Sequence, residues 1–323
     1  MIQIERQVDP KYLEACRLLG KAGLAAVATR YEDTEDDPFN IYQYHRVTHS
    51  RLVAQRFKRM ALDLYEAIPG LISPEEILFG TADAKGHDRK INWERALKPI
   101  DDIEGYEVMT MKRFSGPNEI ESAEEEISDM RDINISLGSE IFTPEREVQS
   151  LETYRVTVPG FSPELKTVIQ PNLNPDTSPI ARLTGLADIG SSGMNTDRFI
   201  EDGDELFREE QLDIFLMLTT PNSLMFTDSR VSDHVRGRMI NWSNSQPNFA
   251  RGRGELFDSD TEGLPEKAKS ILRTQFDHFE DSYTATLTIA KKRESMTLRE
   301  LIVDMGYTDK DTRKGLINED SLR

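Results

Sequence analysis

Tyr44-His45-Arg46-Val47-Thr48-His49-Ser50 sets two imidazoles four residues apart, directly ahead of an apolar series at Val53, Phe57, Met60, Leu64 and Ile68. Steps of three and four residues lay such a series along one stripe of an α-helix. The pattern predicts a helix from about residue 39–42 to residue 67. Side chains at i and i+4 share a helix face, so His45 and His49 should continue the apolar stripe and point inward. Two inward imidazoles need partners. They are either a satisfied core pair or half of a metal pocket.

Working outward, the chain supplies more donors of the same kind. Ser73-Pro74-Glu75-Glu76 reads as a helix start, with serine as cap, proline at the first helical position and Glu76 able to close a capping box. That helix, carrying Ile77, Leu78 and Ala82, should deliver His87 and Asp88 near its C-terminal end. Neighbours on a helix diverge by about 100°. Both can therefore reach one ion only if it lies between their directions or the last turn is distorted. Ser178-Pro179 repeats the start signal, and Ile180, Leu183 and Leu186 lead to Asp188 near the end of an apolar helix. A buried carboxylate without a partner is costly, which calls for a cation beside it. Imidazole nitrogens with carboxylate oxygens suit a divalent transition metal or magnesium.

The order His, His-Asp, Asp, each in a helical setting, resembles the HD-domain metal-dependent phosphohydrolase superfamily. Tyr44-His45-x-x-x-His49, followed by a small residue and then Val53, is similar to the opening motif of its cyclic-nucleotide phosphodiesterase branch. The resemblance implies an all-α HD-type helical bundle, with the metal-binding domain at residues 1–220. Residues 221–323 would form a helical extension packed on it as one compact unit. It further implies that His49, His87, Asp88 and Asp188 hold an ion whose water attacks phosphorus. His45 would be the general acid for the leaving oxygen. Asp88, with two oxygens, would also bridge to a second, weaker, mostly water-ligated ion.

Two departures shape the expectation: Arg46 stands where asparagine often follows the first histidine, and no histidine lies between His87 and Asp188. Neither a di-iron oxygenase nor a site with two histidine-rich metals is implied. The ion is left open among Mn²⁺, Mg²⁺, Fe²⁺ and Zn²⁺. The implied substrate is a small nucleotide-like phosphomonoester or phosphodiester. The alternative is a non-catalytic, metal-containing nucleotide-binding or interaction module.

Composition narrows the partners. The 323 residues carry 40 Lys and Arg against 58 Asp and Glu, a formal net charge of −18. Such a chain lacks the basic surface that long nucleic acid requires. A small nucleotide stays possible through local cations. Lys85, Arg89 and Lys90 beside the His-Asp pair, and Arg253 further on, are candidate phosphate contacts, or solvated cations that suit a helix end. No stretch approaches the roughly 20 apolar residues of a membrane helix, so neither export nor insertion is expected. Cys16 is the only cysteine, which rules out an intrachain disulfide and a cysteine zinc cluster and points to a reducing cytoplasm.

The remaining pattern is mostly helical. Helices are expected over residues 9–30, 119–137, 143–154, 196–218, 246–257, 265–293 and 298–305, with an acidic loop at 32–38 and irregular chain at 91–118. On the 119–137 helix, Ile120, Ala123, Ile127, Met130 and Ile135 should share a buried face. Glu124, Glu125 and Glu126 read as a solvated run or as a carboxylate source for a second ion. Gly190 to Asn195 reads as a small-residue turn, and His234 and His278 as structural.

Overall fold

The computed structural model describes residues 2–31 and 42–308. The predicted acidic loop and the polar C-terminal end lie outside these residues. The chain begins with α1 (Ile2–Glu5), α2 (Pro10–Tyr31), α3 (Val47–Ala67) and α4 (Pro74–Asp83). It continues through a hairpin of β1 (Trp93–Pro99) and β2 (Glu107–Arg113), then α5 (Pro117–Leu137) and α6 (Pro144–Val156). A smaller hairpin, β3 (Gly160–Ser162) and β4 (Thr167–Ile169), precedes α7 (Pro179–Asp188), α8 (Ser191–Met194) and α9 (Thr196–Glu210). The last elements are α10 (Leu212–Thr219), α11 (Leu224–Thr227), α12 (Ser229–Asp260), α13 (Glu266–Gln275), α14 (Phe279–Glu294) and α15 (Leu298–Asp304). Two antiparallel hairpins are the only sheets among the described residues, so the fold is all-α.

Periodicity explains most of this. On α3 the residues Val53, Phe57, Met60 and Leu64 are fully buried, as the stripe required. Ser73 caps α4 with both bonds of the capping box in place, which removes two orphan N–H groups from that end. α3 packs on α4 and α7, and α2 on α4 and α5. The α3–α4 approach depends on Gly80, where a Cβ would overlap the Phe57 ring.

Several expectations are corrected. α3 begins at Val47, so His45 precedes the helix and does not share a face of it with His49. α4 ends at Asp83, which leaves His87 and Asp88 in the turns beyond it. Residues 91–118 are not irregular: β1 and β2 pair in full register from Trp93 with Arg113 to Pro99 with Glu107. On α5, Ala123, Ile127 and Met130 are buried, but Ile120 and Ile135 are exposed, because they fall off the stripe that α2 and α6 cover. Residues 246–257 belong to the single 32-residue α12, which accommodates Pro247 within it. The stretch 265–293 is two helices, α13 and α14.

Two of the apolar cores span residue 220. One joins Phe57, Met60 and Leu183 to Phe257, Leu272 and Phe276. Another joins Met109, Phe207 and Phe215 to Val231, Val235, Met239 and Leu301. No described helix is long and apolar enough to cross a membrane.

Candidate metal centre

Three elements that pack together bring four side chains to one point. His49 comes from the first turn of α3, His87 and Asp88 from the turns after α4, and Asp188 from the last residue of α7. One donor atom from each lies within 4.8 Å of all the others. His87 Nε2 is 3.0 Å from Asp88 Oδ2 and 3.3 Å from Asp188 Oδ1. His49 Nε2 is 3.4 and 3.2 Å from the same two oxygens.

The protonation pattern suits a cation. His87 Nδ1 faces the Ala84 carbonyl at 2.9 Å, so Nδ1 carries a proton and Nε2 is the ring nitrogen turned to the cluster, where a proton and a cation would compete for it. Nε2 is buried with no hydrogen-bond partner, its approach to Asp88 being an ion-pair distance without hydrogen-bond alignment. A buried ring nitrogen facing two carboxylates without an aligned partner fits a site for a cation. Burial pushes both imidazoles down; in His87 the Asp88 and Asp188 charges overcome it and the net shift is well upward, whereas His49 stays lowered. Burial would raise both carboxyls, but the facing imidazoles hold Asp88 and Asp188 below the usual range. Ionised carboxylates and imidazole together form a nitrogen-and-oxygen donor set for a divalent ion.

The turns that place His87 and Asp88 are locked from behind. A Cβ on Gly86 would sit 2.7 Å from both Arg89 Nε and Glu126 Oε2, so only glycine fits there. Arg89 is buried in ion pairs with Glu126 and Asp129. It therefore holds the turn and is not available to a substrate phosphate, which corrects the sequence reading. Lys90 is likewise engaged by Glu121 at 3.0 Å and Glu125 at 3.3 Å. Arg253 donates to the Val168 carbonyl at 2.9 Å and pairs with Asp260. Lys85 lines a different groove. Glu125 and Glu126 are spent on Arg30 and Arg89, and none of the three glutamates at 124–126 belongs to the cluster.

Four residues that the sequence did not single out complete the site. Glu209, fully buried near the end of α9, accepts the backbone N–H groups of Gln43, Tyr44 and His45 on Oε2 at 3.0, 3.0 and 3.1 Å. Its Oε1 takes a short hydrogen bond from His45 Nδ1. This capture of three N–H groups by a side chain replaces helical bonding, and it is why α3 starts only at Val47. Burial pushes the His45 imidazolium down, but Glu209 outweighs it and the net shift is upward. Arg113, at the end of β2, donates Nη2 to the buried Glu119 Oε1 at 2.9 Å and brings it within 3.5 Å of Asp88 Oδ1, with Nη1 3.4 Å from His45 Nε2. Glu210 forms no hydrogen bond or ion pair among the described residues, and burial together with Glu209 pushes its carboxyl up to about 7. Trp93, on β1, sets its ring 6.4 Å from that of His45.

Asp88, Asp188, His45 and Arg113 form one end of a cavity of about 310 Å³. Its other walls are mainly apolar: Tyr44, Trp93, Phe199, Trp242 and Phe249 supply rings, and Glu210 and Gln246 supply polar groups. No family model, curated protein or solved structure matches the chain. The site's chemistry is therefore read from its own residues.

Proposed function

We propose that this chain is a metal-dependent hydrolase of a small phosphoester, of the HD type that its His, His-Asp, Asp order resembles. One observation carries the reading: two of four convergent metal donors, Asp88 and Asp188, line a cavity that also presents His45, an imidazole held by a buried carboxylate. A divalent ion on His49, His87, Asp88 and Asp188 would supply an acidified water and polarise phosphoryl oxygens. Mn²⁺, Mg²⁺, Fe²⁺ and Zn²⁺ all suit two nitrogens and two oxygens. Asp88 Oδ1 already faces Arg113, which favours one firmly held ion over a bridged pair.

The chain's own groups divide the remaining work. Glu209 holds His45 by Nδ1 and raises its proton affinity; Nε2, which Arg113 Nη1 meets at 3.4 Å, would carry a proton to the departing alkoxide once Arg113 turns to the phosphoryl group. Arg113, the one arginine lining the cavity among the described residues, is steadied by Glu119 and would meet the charge on the phosphoryl oxygens. The aromatic walls receive a planar or apolar group, as a nucleoside or another aromatic alcohol would offer, and exclude water from the reacting end. The same apolar lining, with a single arginine, also suits a module that binds a nucleotide without turnover.

The test is hydrolysis of a panel of nucleotides, cyclic nucleotides and aryl phosphates with added Mn²⁺, run beside His45→Ala and Asp188→Ala. Turnover that falls by about 10²–10⁴ in His45→Ala with metal content preserved, and that disappears together with metal in Asp188→Ala, supports the enzyme. Metal-loaded wild type that binds a panel member and never turns it over supports the binding module and rejects the hydrolase.

A further inference from the structure

A second concave surface lies on the other flank of α3. Gly20, Lys21, Leu24, Ala25 and Ala28 of α2 face Thr48 and Arg51 of α3 across a groove of about 570 Å³, with Arg17 and Lys85 at its margins. Among the described residues four cations line it and no carboxylate does. In a chain of net charge −18 that concentration runs against the composition. Arg17 alone among them has an ion pair, an exposed one with Glu5 at 3.5 Å. Lys21, Arg51 and Lys85 form no hydrogen bond or ion pair among the described residues.

Like charges gathered in one place repel, so the cluster gains little for the fold from the described residues that line it. Its construction is also specific. Lys85 lies along the bare flank of α2 at Gly20, where a Cβ would come within 2.9 Å of its Cδ and 3.0 Å of its Nζ. Glycine at that position lets the ammonium settle at the groove wall. The 21-residue α3 borders the same groove through Val47 and Thr48 of its first turn. A helix N-terminus carries partial positive charge, and here it adds to the side-chain cations. Together they match an anion that accepts several charge-assisted bonds at once.

We propose that this groove is a second ligand site, separate from the metal centre, and that it binds a small phosphoanion bearing two or more negative charges. Its dimensions admit a small ion or a nucleotide's phosphate chain. Its position is suggestive of control: Arg51 lies two residues beyond His49 and Lys85 two before His87, so an occupant would touch both imidazole-bearing segments from behind. The proposal goes beyond the hydrolase reading and does not need it.

Calorimetric titration of the full chain with inorganic triphosphate, at low ionic strength and after removal of divalent ions, tests it. Saturable binding of one equivalent is expected, weakened about tenfold or more by Lys21→Glu combined with Arg51→Glu and by Lys85→Met. Lys21 and Arg51 are exposed, so the double variant keeps its fold, which an unchanged melting temperature verifies. Arg113→Gln, altered in the metal cavity, should bind as wild type. Absence of binding at millimolar triphosphate, equal affinity in the groove variants, or loss confined to Arg113→Gln would overturn the proposal.

Discussion

Glu209 has four acceptor duties and no solvent, so its charge cannot be removed without consequence. Glu209→Gln should lower stability by about 2–4 kcal/mol, because a buried pair is broken and one carboxylate oxygen becomes a donor in a nest of N–H groups. Denaturant unfolding measures the loss. In the same variant the His45 ring should titrate at lower pH than in wild type, since Glu209 is what raises it. Proton NMR of the ring reports that change, which a merely destabilised site would not produce. Asp83 offers a second residue-scale prediction. Burial pushes its carboxyl up to about 6, against the opposing bond from Ser150 Oγ at 2.6 Å. The folded state thus binds this proton more tightly than the unfolded state, whose value is near 3.8. The stability it lends is full below that value and is lost as pH rises through about 6, a change of about 3 kcal/mol. Asp83→Asn lacks this slope, so relative to wild type it should gain stability between pH 4 and pH 7. Equal pH dependence in the two proteins would refute the assignment.

At the scale of elements, the helices were legible because burial follows their period. α3, α4 and α7 could be read from their stripes, and the starts of α4 and α7 from their caps; those helices or the turns after them carry all four cluster residues. What could not be read was set by distant partners. The start of α3 is decided by Glu209, some 160 residues away in sequence, and neither local propensity nor spacing marks that glutamate in Arg208-Glu209-Glu210. The hairpin of β1 and β2 was hidden for another reason: its strands are largely exposed or half-buried, so no clean alternation of apolar and polar residues appears. With it went Arg113 and Trp93. Cations beside the His-Asp pair in sequence, Arg89 and Lys90, proved to be claimed by α5 carboxylates, which adjacency in sequence could not reveal. The α3–α4 contact yields a test of its own. Gly80→Ala should destabilise by roughly 1–3 kcal/mol by forcing Phe57 from its place, and urea unfolding should show it. Because α3 and α4 frame two sides of the cluster, metal affinity should fall in the same variant.

For the whole molecule, a ligand that binds only the folded chain must raise its melting temperature. A divalent ion at a hundredfold excess over its dissociation constant should stabilise the protein by about 2.7 kcal/mol, a rise of roughly 5 °C for a chain of this size. Scanning calorimetry with and without Mn²⁺ measures it, and Asp188→Ala should show no such rise. A wild type indifferent to every divalent ion would remove the basis of the metal centre.

The 32-residue α12 gives Val231, Val235 and Met239 to one apolar core and Phe257 to another. It works as a common axle: neither core can come apart without unseating the helix from the other. Heat should therefore melt the protein in one cooperative step. A cut near residue 220 would not release a self-sufficient half; it would yield two fragments that recover a fold only by finding each other again.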